Sequence, residues 1–306
     1  MAVSDIRRVI DLHRRQLFGL TEIRGVQKLR PSYERARADL ERKLKALVRA
    51  GKGDTFGAHH MRIVLAQVAA AVHEVRTGIV DRLEDTGRTA ADLAPRHLVQ
   101  AVEVLQDNFR GVTPVLQPRQ AAVFQAAYPD VAPSLLDRYR ASSELYGAPV
   151  VKAVRDQMTQ SILQGEGVDD AVDRVAGTSG IFDGERWRAE RIVRTESAYS
   201  YGVAKQVGME ELRKDVPRLQ KRLVATLDER TGRDSIDLNG QTVDVDKPFL
   251  WVVKNSHGVP TGKVVHYMQP PNRPNDREIV IPWEASWPAS PVLDSMGPVD
   301  PSTRGL

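Results

Sequence analysis

Through the first two hundred positions, apolar residues return at steps of three and four. Between residues 31 and 50, Tyr33, Leu40, Leu44, Leu47 and Val48 share one helical face, with Pro31 and Ser32 as its start signal. GKGDTFG breaks that pattern. A second helix is predicted over roughly 58–84, where Met61, Leu65, Val68, Val72, Val75, Ile79 and Leu83 form a narrow seam of the bundle type. TAADLAPRHLVQAVEVLQDNF predicts a third, with Pro95 near its first turn, and GVTPVLQPRQ reads as a loop. Beyond Pro133 a long tract is helical again. A break or sharp kink is expected near Gly147 and Pro149, because an interior proline costs about 3 kcal/mol. A short helix over 168–176 follows, then a longer one over 183–213 whose apolar face takes Trp187, Ile192, Val193, Tyr199, Val203, Ala204 and Val207.

After that the period changes. RLVATLDE, QTVDVD, PFLWVVK and KVVHYM are short β-branched or aromatic runs bounded by Asn-Gly, Lys-Pro and NSHGVPTG. They predict a small antiparallel sheet attached to the last helices. Prolines at 270, 271, 274, 282, 288, 291 and 298 make the end extended and loop-like. The fold class expected is α+β: a helical N-terminal region over 1–165, a C-terminal α+β domain over 166–287, and an extended tail over 288–306. No repeat of 20–50 residues is visible.

Composition adds limits. Of 306 residues, 41% are hydrophobic and 27% charged, enough apolar material for a real core. Aromatics are only 6%, which favours helices packed on Leu, Val and Ala. No run of about 18 apolar residues is seen, so nothing is expected to span a bilayer and no membrane partner is expected. The opening MAVSDIRRVIDLHRR lacks the unbroken apolar stretch of a signal peptide. With no cysteine, thiolate zinc sites and Cys nucleophiles are excluded, and the redox compartment stays undecided.

Charge is uneven. Residues 1–50 hold 13 Lys/Arg against 6 Asp/Glu, while the remaining chain holds 31 against 34. A basic front on a near-neutral body suits an acidic partner such as nucleic acid or an acidic protein surface. The contact candidates are Arg7, Arg8, Arg14, Arg15, Arg24, Lys28, Arg30, Arg42, Lys43, Lys45 and Arg49. A solvated helix face explains the same residues, since no aromatics interleave them.

The last third carries the specific motifs. In order they read RAERIVRTESAYSYGVAKQVG (188–208), KRLVATLDERTGRDSIDLNGQTV (221–243), KPFLWV (247–252) and PPNRPNDREIVIPW (270–283). This set resembles the phage Mu F-like head-morphogenesis family, the minor head proteins of tailed phages. The cues are the helix with Arg194, Thr195 and Glu196, then Asp228, Glu229, Arg230 and Thr231. The Asn239-Gly240 turn follows, and the closing segment has Pro270, Pro271, Pro274, Asn275 and Arg277. The resemblance covers roughly 165–283. Many members carry a His after the Asp-Glu-Arg-Thr and a closing His-Pro-Asn-Cys-Arg-Cys. Here Ser235 and Arg273 stand where those histidines would fall, and Asp276 and Glu278 take the cysteine places. A His/Cys zinc site is therefore excluded in that form. Arg273 and Arg277 are expected to pair with Asp276, Glu278 or Asp228 instead, with Trp251, Tyr267, Ile279, Ile281 and Trp283 supplying most of the stability.

Chemistry is weighed against that picture. Asp228, Glu229, Asp276 and Glu278 could gather around a hard cation, as in a metal-dependent nuclease or hydrolase. Arg230 and Arg277 beside them favour a neutralised polar turn. Arg194 and Glu196 invite comparison with ADP-ribosyltransferases, but their segment reads as helix, and a buried anchor between helix and sheet is expected. His13, His59, His60, His73, His97, His257 and His266 show no ligand spacing and read as surface or cap residues. GKGDTFG fails the phosphate-loop spacing, and no Gly-x-Ser-x-Gly occurs. No catalytic residue, metal or cofactor is expected.

The resemblance implies a non-enzymatic minor capsid protein of the virion, placed at the portal vertex of the head and in the host cytoplasm during assembly. It implies portal protein and packaged double-stranded DNA as partners, with the major capsid protein and self-association through the 58–84 seam as further contacts. Two other readings stay open: a hydrolase or toxin-type enzyme built on the same C-terminal domain, and a plain DNA-binding scaffold.

Overall fold

The computed structural model describes residues 2–51, 55–105, 113–177, 180–226, 231–274 and 276–285. Its elements are α1 (Ala2–Leu20), a π-helical turn (Thr21–Val26), α2 (Gln27–Ala50), α3 (Ala58–Leu105), α4 (Thr113–Gln164), α5 (Val168–Ala176), α6 (Ile181–Gly184), α7 (Arg186–Leu212), β1 (Gln220–Val224), α8 (Arg233–Leu238), β2 (Thr242–Asp244), β3 (Phe249–Lys254), β4 (Pro260–Tyr267) and β5 (Ile279–Trp283). The fold class is α+β.

Several expected breaks are absent. Pro31 lies inside α2, Pro95 inside α3, and helix continues from Thr113 through the segment expected as a loop and past Gly147 and Pro149. Burial outweighs the proline penalty at Pro149. Tyr146, Val150 and Val154 on either side are all 0% exposed, while Leu145, whose carbonyl the proline leaves without its rung, is on the exposed side. Gly147 permits a close crossing, since a Cβ there would come within 3.0 Å of Arg76 Cδ and 3.2 Å of Val72 Cγ1. By length and composition alone, α3 contains a stretch apolar enough to cross a bilayer, unlike the expectation above. Here its Val64, Val68, Val75, Ile79 and Leu83 are buried.

The chain forms two compact units interleaved along its length. One takes Met1–Leu20, Gly87–Pro133 and Ser197–Leu306; the other takes Thr21–Thr86 and Ser134–Glu196. This partition differs from a cut at residue 165, because α3, α4 and α7 each contribute to both units.

The second unit is helical. On α2 the steps of four, three, four and four bury Leu29, Tyr33, Ala36, Leu40 and Leu44. Tyr33 stacks on Phe182 at 5.3 Å, meets Tyr146 edge-on at 6.3 Å, and donates its hydroxyl to the Phe182 carbonyl. Gly25 in the π turn lies so close to α7 that a Cβ would sit 2.6 Å from Val193 Cγ1.

The first unit holds all five strands named above. β1 is central in an antiparallel three-stranded sheet of order β2-β1-β5, and β3 pairs only with β4. In register, Lys221 faces Val243 on β2 and Pro282 on β5. β5 falls in the stretch expected to be loop-like. Pro282 is tolerated because β5 is an edge strand. The core joins Ile6 and Ile10 of α1, Leu98 and Val102 of α3, and Met209 and Leu212 of α7 to Leu223, Phe249, Ile279, Ile281 and Trp283. Trp251 and Tyr267 pack partly buried against it.

Candidate functional site

In the stretch 225–244, a short helix replaces the expected direct strand–turn–strand. α8 buries Ser235, Ile236 and Leu238, with Asp234 in its first turn favoured by the helix dipole. Asn239 (φ −57°, ψ 126°) and Gly240 (φ +82°) then make a type II turn, closed by the Gln241 N–H donating to the Leu238 carbonyl at 2.9 Å. Only the glycine needs positive φ. Asn239 Oδ1 accepts the Ala225 N–H at 3.0 Å, tying the turn to the end of β1. Asp228, Glu229, Arg230 and Asn275 lie outside the described residues. Thr231 donates its hydroxyl to the Thr226 carbonyl.

Ser235, Arg273, Asp276 and Glu278 come together in one polar knot. Arg273 pairs with Asp234 (Nε to Oδ2, 2.8 Å) and donates Nη2 to Ser235 Oγ at 2.7 Å. Its guanidinium lies over Gly232, where a Cβ would overlap Nη2. Asp276 accepts the backbone N–H groups of Asn272 (3.1 Å) and Glu278 (3.3 Å). Glu278 is 6% exposed, with its carboxyl group facing Ser235 and Asp276. Arg273 thus binds Asp234, which was not among its expected partners, and the Arg277 carbonyl accepts from Thr226 Oγ1 at 2.9 Å; the expected pairing with Asp228 lies outside the described residues. Burial, then the neighbouring Asp276 charge, pushes Glu278 up to about 8; burial also raises Asp276. Among the described residues, no group of three or more His, Asp or Glu is placed to hold a metal.

Asp276 and Glu278 border a narrow crevice with Leu17, Tyr201, Lys205 and Pro270. It has room for about one water molecule. The Pro270–Pro271 peptide is cis, and Gly202 of α7 abuts it so closely that a Cβ there would overlap the Pro270 carbonyl oxygen. Beside the crevice runs a buried polar chain that the sequence did not suggest. Lys205 donates to the Tyr201 hydroxyl at 3.1 Å, and that hydroxyl meets His97 Nδ1 at 2.9 Å. His97 stacks on His13 with ring centroids 3.9 Å apart. Both histidines are 1% exposed, not surface residues. Their signal was the spacing Ile6, Ile10, His13, Leu17, which puts His13 on the inward face of α1. Burial lowers His13 to about 2, His97 to about 3 and Lys205 to about 7.

Arg194 and Glu196 anchor α7, but to helices rather than to the sheet. Arg194 grips Glu22 (Nε to Oε2, 2.9 Å) and reaches Glu190 at 3.3 Å, where Arg30 also binds at 3.1 Å. Glu196, 5% exposed, takes a forked contact from Arg138 and accepts Ser142 Oγ at 3.0 Å. Thr195 donates to the Arg191 carbonyl at 2.9 Å. Two positions apart on a helix, Arg194 and Glu196 point in different directions, hence their separate partners. Trp187, expected on the apolar face, is 46% exposed, with the Arg188 and Arg191 guanidinium groups over its ring.

The basic front divides by local pairing. Arg42 and Lys43 pair with Asp39, Lys45 with Glu41, and Arg30 with Glu190. Arg8, Arg24, Lys28 and Arg49 are exposed, and the Arg7 side chain lies outside the described ones. Arg14 and Arg15 line an open cleft together with Asp11, Thr226 and Arg277. Arg14 also donates to the Val224 carbonyl at 3.0 Å, so it fastens α1 to the end of β1.

Comparison with family models, with curated proteins and with solved structures finds no match to this chain.

Proposed function

We propose that the chain is a minor head protein of a tailed phage or prophage, a non-enzymatic scaffold that binds the portal and contacts packaged DNA. One observation carries the reading. Ser235 of α8 meets Arg273, Asp276 and Glu278 of the segment leading into β5, positions that the resemblance aligns with one family's ligands, in a single closure. The closure is made from hydrogen bonds and the Arg273–Asp234 ion pair, which suits a locked scaffold.

An enzyme reading would draw on Lys205 and Glu278, whose displaced pKa values are typical of catalytic sites. It weighs less, because the crevice they border holds about one water and no substrate. The test is co-sedimentation of the purified protein with a portal ring at moderate salt. Stable pelleting with the ring is the expected result. Absence of pelleting, with hydrolase activity lost on Glu278→Gln in a folded protein, would favour the enzyme.

A further inference from the structure

We propose that the β3–β4 ribbon is the arm through which this protein holds duplex DNA, which deepens the DNA-contact part of the reading above and rests on it for the choice of polymer. Four observations lead there. The first is charge: from Lys247 to Pro274 the chain has no Asp or Glu, so every formal charge on this segment is positive. Lys254 is taken up by Asp237 and Arg273 by Asp234; Lys263 and Lys247, the latter beside the Asp246 carboxylate, are the exposed ones. Arg233, also exposed, lays its guanidinium against the Asn255 carbonyl at 2.9 Å and adds a cation at the ribbon's tip.

The second is shape. β3 and β4 pair only with each other, giving a two-stranded antiparallel ribbon rather than part of the larger sheet. A two-stranded ribbon fits the duplex major groove, about 12 Å wide, and β4, with 8 residues, is long enough to follow it.

The third is the outward face. Phe249, Trp251 and Tyr267 turn toward the core, while Leu250, Val252, Val264 and His266 alternate outward. The three aliphatics are each 43–44% exposed. Exposed apolar side chains of this kind suit thymine methyl groups.

The fourth is preorganisation. Asn255 Oδ1 accepts the N–H groups of His257 and Val259, both at 3.0 Å, and Gly258 (φ +80°) completes the bend. Thr261 Oγ1 donates to the Val253 carbonyl at 2.9 Å across the strands. An arm already shaped loses less entropy on binding.

Within the basic front, Arg42, Lys43 and Lys45 already pair with carboxylates of their own helix, while Arg8, Arg24, Lys28 and Arg49 are exposed.

The experiment is fluorescence anisotropy of a labelled 30-base-pair duplex with the full chain, between 50 and 200 mM salt. The Lys247→Glu/Lys263→Glu variant, with an unchanged Tm, is expected to bind at least tenfold more weakly. Its log–log salt dependence should be shallower by about two, at roughly 0.9 for each phosphate left without its lysine. Lys43→Ala/Lys45→Ala should bind within about twofold of the unaltered chain. Unchanged duplex binding by the ribbon variant overturns the inference while leaving DNA binding intact. No duplex binding by the unaltered chain at 50 mM salt overturns both. If the ribbon variant keeps DNA but no longer sediments with a portal ring, the ribbon docks protein instead, and the inference fails.

Discussion

Arg273 reaches back to Ser235, Nη2 to Oγ at 2.7 Å, across a surface that only a glycine at 232 leaves open. A methyl at position 232 would overlap the guanidinium, the movable end of a long side chain, so Gly232→Ala is expected to displace it and cost no more than the pairing it breaks, about 1–2 kcal/mol. Arg273→Ala should cost about 1–2 kcal/mol, discounted because its side chain is 39% exposed. The two changes act on the same interaction, so together they should cost clearly less than the sum, measured as Tm shifts in a double-mutant cycle.

Glu278 sets a pH dependence with a definite sign. Its folded pKa is raised to about 8 from an ordinary 4.5, so the native state holds a proton that the unfolded chain releases between those values. Its contribution is full below pH 4.5 and is lost as pH rises through 8. Glu278→Gln should therefore gain about 2–4 kcal/mol over the unaltered protein at pH 8, and little at pH 4.5. Urea unfolding at the two pH values reads the difference. A constant offset would contradict it.

The stacked His13 and His97 act in the opposite direction. Their folded values, about 2 and 3, lie below the ordinary 6.5, so the unfolded chain takes up protons first as pH falls. Stability from this pair is full above pH 6.5 and declines toward pH 3. His13→Leu, on a helix face already carrying Ile6, Ile10 and Leu17, should flatten that acid loss. Thermal melts from pH 7 to pH 4 test it.

At the π turn, Gly25→Ala forces a Cβ to 2.6 Å from Val193 Cγ1 and should cost about 1–3 kcal/mol. Val193→Ala in the same chain opens the space. The double variant is expected to recover part of the drop in Tm caused by the single one.

Glu196 should matter more than its neighbour Arg194. Glu196 is buried against Arg138 and Ser142, whereas Arg194 and Glu22 are 34% and 41% exposed at the side chain. Glu196→Ala is expected to cost about 2–4 kcal/mol and Arg194→Ala about 1 kcal/mol or less. Equal losses in chemical denaturation would show that Arg194 carries more than surface pairing.

Periodicity made the helical class, the seam on α3 and the short α5 legible, because burial there follows steps of three and four. It failed at Pro95 and Pro149, where local penalties of a few kcal/mol are outweighed by long buried faces that only the folded chain assembles. β5 was hidden by Pro282, acceptable at an edge whose existence depends on β1 pairing from sixty residues away. Arg273 and Asp276 were legible as polar residues of one closing segment, but the pairing of Arg273 with Asp234 was not. Which arginine meets which carboxylate depends on α8, a six-residue helix with almost no periodic signal. His13 could have been read from its spacing with Ile10 and Leu17, and His97 from its spacing with Ala94 and Ala101, although alanines mark an inward face only weakly.

The weaving of α3, α4 and α7 through both units bears on how this protein can be cut or inherited. A fragment ending at residue 165 would take pieces of each unit and complete neither, leaving two half-built interiors open to water. Recombination that trades contiguous stretches of gene cannot exchange one unit for a foreign counterpart. The two are bound to change together, and a truncation made for convenience should yield insoluble chain.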